Sequence, residues 1–132
     1  MRISIYILIL GIITLSFNHS GDDCSISTEG IYTASIDTET DGHIRFYSDG
    51  IVIVSTSVKN IKDVKTWFHK DNIAMVLKGK YKKKKCNIRF KVKGETGEQS
   101  FEGTIMAGSI TVIITDAKTK AQTQRVYKAI PL

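Results

Sequence analysis

Residues 86–94 read "CNIRFKVKG", and their rhythm decides the fold. Ile88, Phe90 and Val92 fall on one side of an extended chain, while Asn87, Arg89, Lys91 and Lys93 fall on the other. Apolar and polar side chains alternating with a period of two mark a strand with one face against a core and one face in water. The same rhythm extends in both directions. Upstream, Ile44 and Phe46 oppose Arg45 and Tyr47, and "SDG" turns the chain into "IVIV" at 51–54. Downstream, Phe101, Gly103 and Ile105 oppose Ser100, Glu102 and Thr104. "SITVIITD" follows the Ala107-Gly108 turn, and "AQTQRVYKAI" closes the chain.

Strands are expected at 30–36, 43–48, 51–58, 73–78, 79–84, 87–93, 99–105 and 108–115, with 121–129 a possible ninth. Only "NIKDVKTWFHKDN", residues 60–72, breaks the period: Ile61, Val64 and Phe68 recur at helical spacing behind a potential cap, Asn60. Trp67 and Phe68 read as its packing anchors. The lone proline, Pro131, interrupts no strand. Successive hairpins with one buried face leave little room for long crossovers. The expected fold is therefore all-β, an up-and-down antiparallel barrel of about eight strands with one short helix.

The chain opens with "MRISIYILILGIITLSF", one arginine followed by an apolar run from Ile3 to about Leu15. A run of about 13 residues falls short of the ~20 that span a bilayer and suits the apolar region of an export signal. Residues 1–20 are read as a cleaved signal peptide, and residues 21–132 as a single barrel domain, secreted or periplasmic. An uncleaved anchor and a lipid-modified Cys24 remain the alternatives. Two cysteines in an exported chain, Cys24 and Cys86, most simply form one disulfide, and two buried thiols are the competing reading. His43 and His69 do not combine with them in a zinc-ligand pattern, and neither metal nor cofactor is expected.

"GIYTASI", "FYSDGIVIV" and "FEGTIMAGSITV", with the final "RVYKAI", together resemble the small secreted bacterial lipocalin-like, or calycin-type, barrels. In that family a glycine-x-tryptophan opens the first strand, and an arginine near the end of the last strand closes one barrel end over the ring. The resemblance implies that role for Tyr32 and Arg125, as a cation–π pair. Tyrosine stands where the family has tryptophan, and the helix interrupts the strand order instead of following it.

Chemistry is sparse. Serines and threonines abound, but no Gly-x-Ser-x-Gly elbow is present, and no enzyme is expected. Glu39, Asp41 and His43 read as a solvated turn, and His69 as a surface histidine between charges. Net charge is +6, a moderate pull toward acidic partners. Much of it is concentrated in "GKYKKKKCNIRF", residues 79–90, where Lys82, Lys83, Lys84 and Lys85 lead to Arg89 and Lys91. Lysines on a sheet surface or edge keep a β protein soluble and discourage edge pairing. As a functional patch they would meet an anionic envelope component, whether lipopolysaccharide, anionic lipid or a polyanionic glycan, or an acidic protein. Nucleic acid is not expected, since only Tyr81 interleaves the run as a stacking residue.

Two functions follow. The first is a non-catalytic exported barrel that holds a small apolar or amphipathic ligand. Its interior would be lined by Ile44, Phe46, Ile53, Ile88, Phe90, Phe101 and Ile110, with the helix and Trp67 over one mouth. The second is a protein-binding module or enzyme inhibitor of the cell envelope that presents the basic hairpin. A monomer is expected for both.

Overall fold

The structure is a computed structural model that describes residues 24–60 and 62–131. The expected signal peptide and the helical role of Ile61 lie outside the described residues. Eight strands form a closed up-and-down barrel in sequence order: β1 (Gly30–Ser35), β2 (Thr40–Phe46), β3 (Ile51–Val58), β4 (Leu77–Lys84), β5 (Asn87–Gly94), β6 (Gly97–Met106), β7 (Ser109–Asp116) and β8 (Gln122–Pro131). Every neighbouring pair is antiparallel, and β1 meets β8 through Tyr32 opposite Ala129. This architecture is consistent with the broad calycin-type class.

The alternation read from the sequence holds along β5, where Ile88, Phe90 and Val92 are buried and Arg89, Lys91 and Lys93 are exposed. Aromatic side chains pack against one another in the interior. Phe46 meets the rings of Tyr32, Tyr81 and Phe90 edge-on at 5.5, 5.0 and 5.7 Å, and Phe90 stacks on Phe101 at 4.6 Å. These are the offset and edge-to-face arrangements that ring quadrupoles favour. Each turn in this core fixes the next: Phe90 lies opposite Phe101, and Phe101 opposite Ile114, so one layer closes across three strands.

Two glycines allow the wall to curve. A Cβ at Gly79 would overlap the carbonyl oxygen of Lys91, and one at Gly103 would overlap that of Thr111. Close backbone approach at a barrel corner admits only a residue without a side chain. This corrects the expected strands at 73–78 and 79–84. Gly79 is no turn, because β4 runs through it unbroken, and residues 73–76 belong to the preceding loop, with Ile73 and Met75 exposed. The supposed ninth strand is the eighth, and it closes the barrel.

The helix is shorter than expected. It spans only α1 (Val64–Trp67). Asn60 and Asp63 both take left-handed backbone angles, φ 59° and 60°, which keep the chain before Val64 out of a helix, so Asn60 is no cap. At Phe68 the backbone leaves the helix, at φ −89° and ψ 79°, and the ring turns into a buried site. One turn is too short to be stable alone, so packing holds it.

That packing lies outside the barrel. Ile31, Ile53, Phe68 and Val76 form a second buried cluster on the outer face of β1–β3, separate from the interior core. Ile53 and Trp67 therefore do not line the barrel interior. On β3, Val52 and Val54 point inward, and Ile53, one residue out of phase, points outward beneath the 59–76 loop. The helix covers a wall, not a mouth.

The end of the barrel where β1 begins is closed by residues 24–29. Ile26 packs against the core, Ser27 N–H donates to the Tyr32 hydroxyl at 2.8 Å, and Cys24 is disulfide-bonded to Cys86 on the β4–β5 turn. The expected Tyr32–Arg125 closure does not form. Arg125 stands four residues before Ala129, the partner of Tyr32, which places it about 13 Å up the strand. Its Nη1 donates instead to the Tyr127 hydroxyl at 3.2 Å.

Candidate functional site

The basic residues converge on one wall. β4 and β5 turn through Lys85 and Cys86, with Lys85 in the left-handed region at φ 56°. The register places Lys78 opposite Lys93, Lys80 opposite Lys91, and Lys82 opposite Arg89, all exposed and all on the outer face. Lys84, opposite Asn87, continues the row, while Lys85 sits on the turn and Lys83 has inward phase at the barrel's rim. Like charges directly opposite on a sheet face repel. Across β5–β6, Glu102 faces Arg89 and Glu98 faces Lys93. Among the described residues no carboxylate lies within 4 Å of these cations; the ion pairs are Lys59–Asp41 and Lys70–Asp49, elsewhere on the molecule.

Beside the cations the outer wall is concave. One hollow of about 420 Å³ is lined by Lys80, Lys82, Arg89, Lys91, Ser100 and Gln122, among others. A second, wider and about 980 Å³, continues past Lys84, Asn87 and Thr104 toward the β4–β5 turn. Lys82, Arg89, Glu102 and Ile113 line both, so the two form one trough along the wall. Ile113 is 47% exposed and gives the trough an apolar spot among polar groups. A third hollow, about 350 Å³, lies at the rim between the 59–76 loop and the β5–β6 turn, lined by Val54, Met75, Leu77, Glu98, Gln99 and Asp116.

On the opposite side, the loop-covered wall buries groups that the sequence suggested were solvated. His43 lies within β2, not in a turn, and is 3% exposed. Its Nδ1 is 3.0 Å from Thr33 Oγ1 and its Nε2 2.7 Å from Ser57 Oγ, while the rings of Trp67 and Phe68 lie against it at 6.2 and 5.8 Å. Burial holds its pKa below the ordinary histidine value, with Asp41 pulling more weakly upward. Arg45 Nη1 donates to the Phe68 carbonyl at 2.9 Å, and the guanidinium lies over the Tyr47 ring at 5.0 Å. Arg45 Nε and Trp67 Nε1 are buried without a hydrogen-bond partner among the described residues. Asp41 belongs to the loop's anchorage, accepting from Lys59 at 3.3 Å and from Asn60 N–H at 3.3 Å.

Of the candidate ligand-binding residues, Phe46, Phe90 and Phe101 are in the interior and packed against one another, whereas Ile53 and Trp67 belong to the outer cluster. Burial also raises the pKa of Tyr127, opposed by the Arg125 hydrogen bond, and that of Tyr81. Among the described residues no group of three or more His, Cys, Asp or Glu side chains is placed to hold a metal ion. His43 was hidden from sequence reading because its phase on β2 is outward; only the loop folded over that face buries it. No family model, curated protein or solved structure matches the chain.

Proposed function

We propose that this protein is an exported, non-catalytic binding module whose β4–β5 wall engages an anionic partner. The observation that carries this reading is the succession of three like-charged rungs, Lys78–Lys93, Lys80–Lys91 and Lys82–Arg89. Edge protection does not account for the first two. β4 is paired on both sides along Leu77–Lys80, as is β5 along Asn87–Lys93, in a closed barrel, while Lys82–Lys84 run on past the end of β3. Repulsion across the ladder costs stability that a partner's negative charge would return. The interior aromatic side chains pack against one another, which favours the outer wall over the inside as the binding surface.

The test is retention on an immobilised sulfated matrix. The quadruple variant K80S/K82S/R89S/K91S is compared with K62S/K65S/K118S/K120S, which removes the same charge elsewhere. Earlier elution of the wall variant alone supports the reading, and equal loss by both overturns it.

A second reading keeps the small amphipathic ligand but moves it to the rim, where the 350 Å³ hollow sets Met75 and Leu77 beside Glu98 and Asp116. An apolar fluorescent probe whose binding is lost in M75S/L77S would support it, and binding unaffected by that change would count against it.

A further inference from the structure

The trough and its cations together indicate the partner's shape and chemistry. Resting on the anionic-partner reading, we infer that the β4–β7 outer wall is a binding groove for a linear anionic polysaccharide that lies along the strands.

Three observations lead there. The first is periodicity. Lys78, Lys80, Lys82 and Lys84 project outward at every second residue of β4, with Lys93, Lys91 and Arg89 beside the first three. Successive rungs are therefore about 6.8 Å apart, and the row runs for about 20 Å. A row of evenly spaced cations suits a chain with recurring charge and is wasted on a compact ion. The second is concavity. Lys80, Lys82, Lys84, Arg89 and Lys91 line two hollows that share Lys82, Arg89, Glu102 and Ile113, and their volumes fall in the range of small-molecule sites. A membrane surface offers nothing to fill a trough.

The third is the composition of the floor and far bank. Ser100, Thr104, Asn87, Thr115 and Gln122 supply hydroxyl and amide groups without charge, the donors and acceptors that match sugar hydroxyls. No aromatic ring on this wall is exposed for base stacking, because Phe90 and Phe101 face the core. Glu102 lines the trough opposite Arg89. It repels the polymer's charged groups from β6 and confines them to the β4–β5 bank, while it can accept a hydrogen bond from a sugar hydroxyl.

The experiment titrates the protein with sulfated oligosaccharides of increasing length, with inorganic sulfate, and with vesicles of phosphatidylglycerol in phosphatidylcholine. Affinity is expected to rise with chain length until the oligomer spans about 20 Å and then to level off, with no measurable binding of sulfate. K82S/R89S should weaken binding at least tenfold and lower the slope of log K against log salt by roughly two, one for each cation removed. S100A/Q122L should weaken it several-fold with the slope unchanged, a readout that charge attraction alone would not move. Binding to vesicles but not to oligosaccharides would overturn the polysaccharide inference and leave the anionic-partner reading standing. Binding to none of the probes would overturn both. Oligosaccharide binding indifferent to S100A/Q122L would reduce the groove to a charged surface and also overturn the inference.

Discussion

Replacing Lys80 with glutamate should make the protein more stable and less able to bind. Lys80 lies directly opposite Lys91, with Arg89 and Lys93 as its diagonal neighbours on β5. A directly opposed pair on a sheet face is worth roughly 0.2–1 kcal/mol, attractive or repulsive according to sign. Reversing one charge removes a repulsion and adds an attraction, with the diagonals contributing in the same direction. After discounting for solvent screening, the gain is about 1 kcal/mol. For a domain of this size that corresponds to a melting temperature higher by about 4 °C. Thermal denaturation followed by circular dichroism in low salt measures it, with K80Q expected to show about half the rise. In 1 M NaCl the screening length falls to about 3 Å, and the difference should largely vanish. K118E, in the β7–β8 turn, carries the same charge change and should move the midpoint less. A lower midpoint for K80E, or a rise that persists in high salt, would refute the argument that the ladder stores repulsion.

The remaining expectations concern the scaffold. C86S opens a link between residues 62 apart and should cost about 4 kcal/mol on the chain-entropy account, read from urea titrations under oxidising conditions; an unchanged midpoint would contradict it. His43 should impose a pH dependence on stability. Its pKa is depressed in the folded state, so the unfolded chain takes up a proton that the native state refuses. Stability should be full above about pH 6.5 and decline below it, by at most about 1.4 kcal/mol per pH unit, until the folded-state pKa is reached. Burying the unfolded-state proton acceptor is the cause, so H43N should flatten that window while leaving the acid loss below about pH 4, where the depressed pKa values of Asp37, Asp49 and Asp116 act. G103A should destabilise by roughly 1–3 kcal/mol, because the new methyl group needs the Thr111 carbonyl to move; a neutral result would mean that the corner is less tight than described.

The alternation at Ile88, Phe90 and Val92 was enough to establish strands, and the run of hairpins enough to establish an up-and-down barrel, because a two-residue period permits only one buried face. The disulfide was legible from the cysteine count and the expected export signal. The position of the lysines on an outward face was also legible, since Lys82, Arg89 and Lys91 share a phase. That they sit in a closed wall was not, because closure depends on the pairing of β1 with β8. Three other features escaped for the same reason, that they are tertiary. Gly79 carries the sequence mark of a turn, yet its role is close approach to Lys91. His43, Ile53 and Trp67 are brought together by a loop laid across an outer face, which no local period encodes. Arg125 matched a family position in sequence but falls at another height in the barrel, beside Tyr127.

The most direct test of a working outer wall is a residue-resolved titration. Backbone amide resonances would be followed by heteronuclear NMR while a sulfated oligosaccharide, and in a separate sample a short-chain fatty acid, is added. The expected result is saturable shifts at Lys80, Lys82, Arg89, Lys91 and Ser100 with the oligosaccharide. Shifts confined to Phe46, Phe90 and Phe101 with the fatty acid, and none along β4–β5 with the oligosaccharide, would show that the barrel works from its inside.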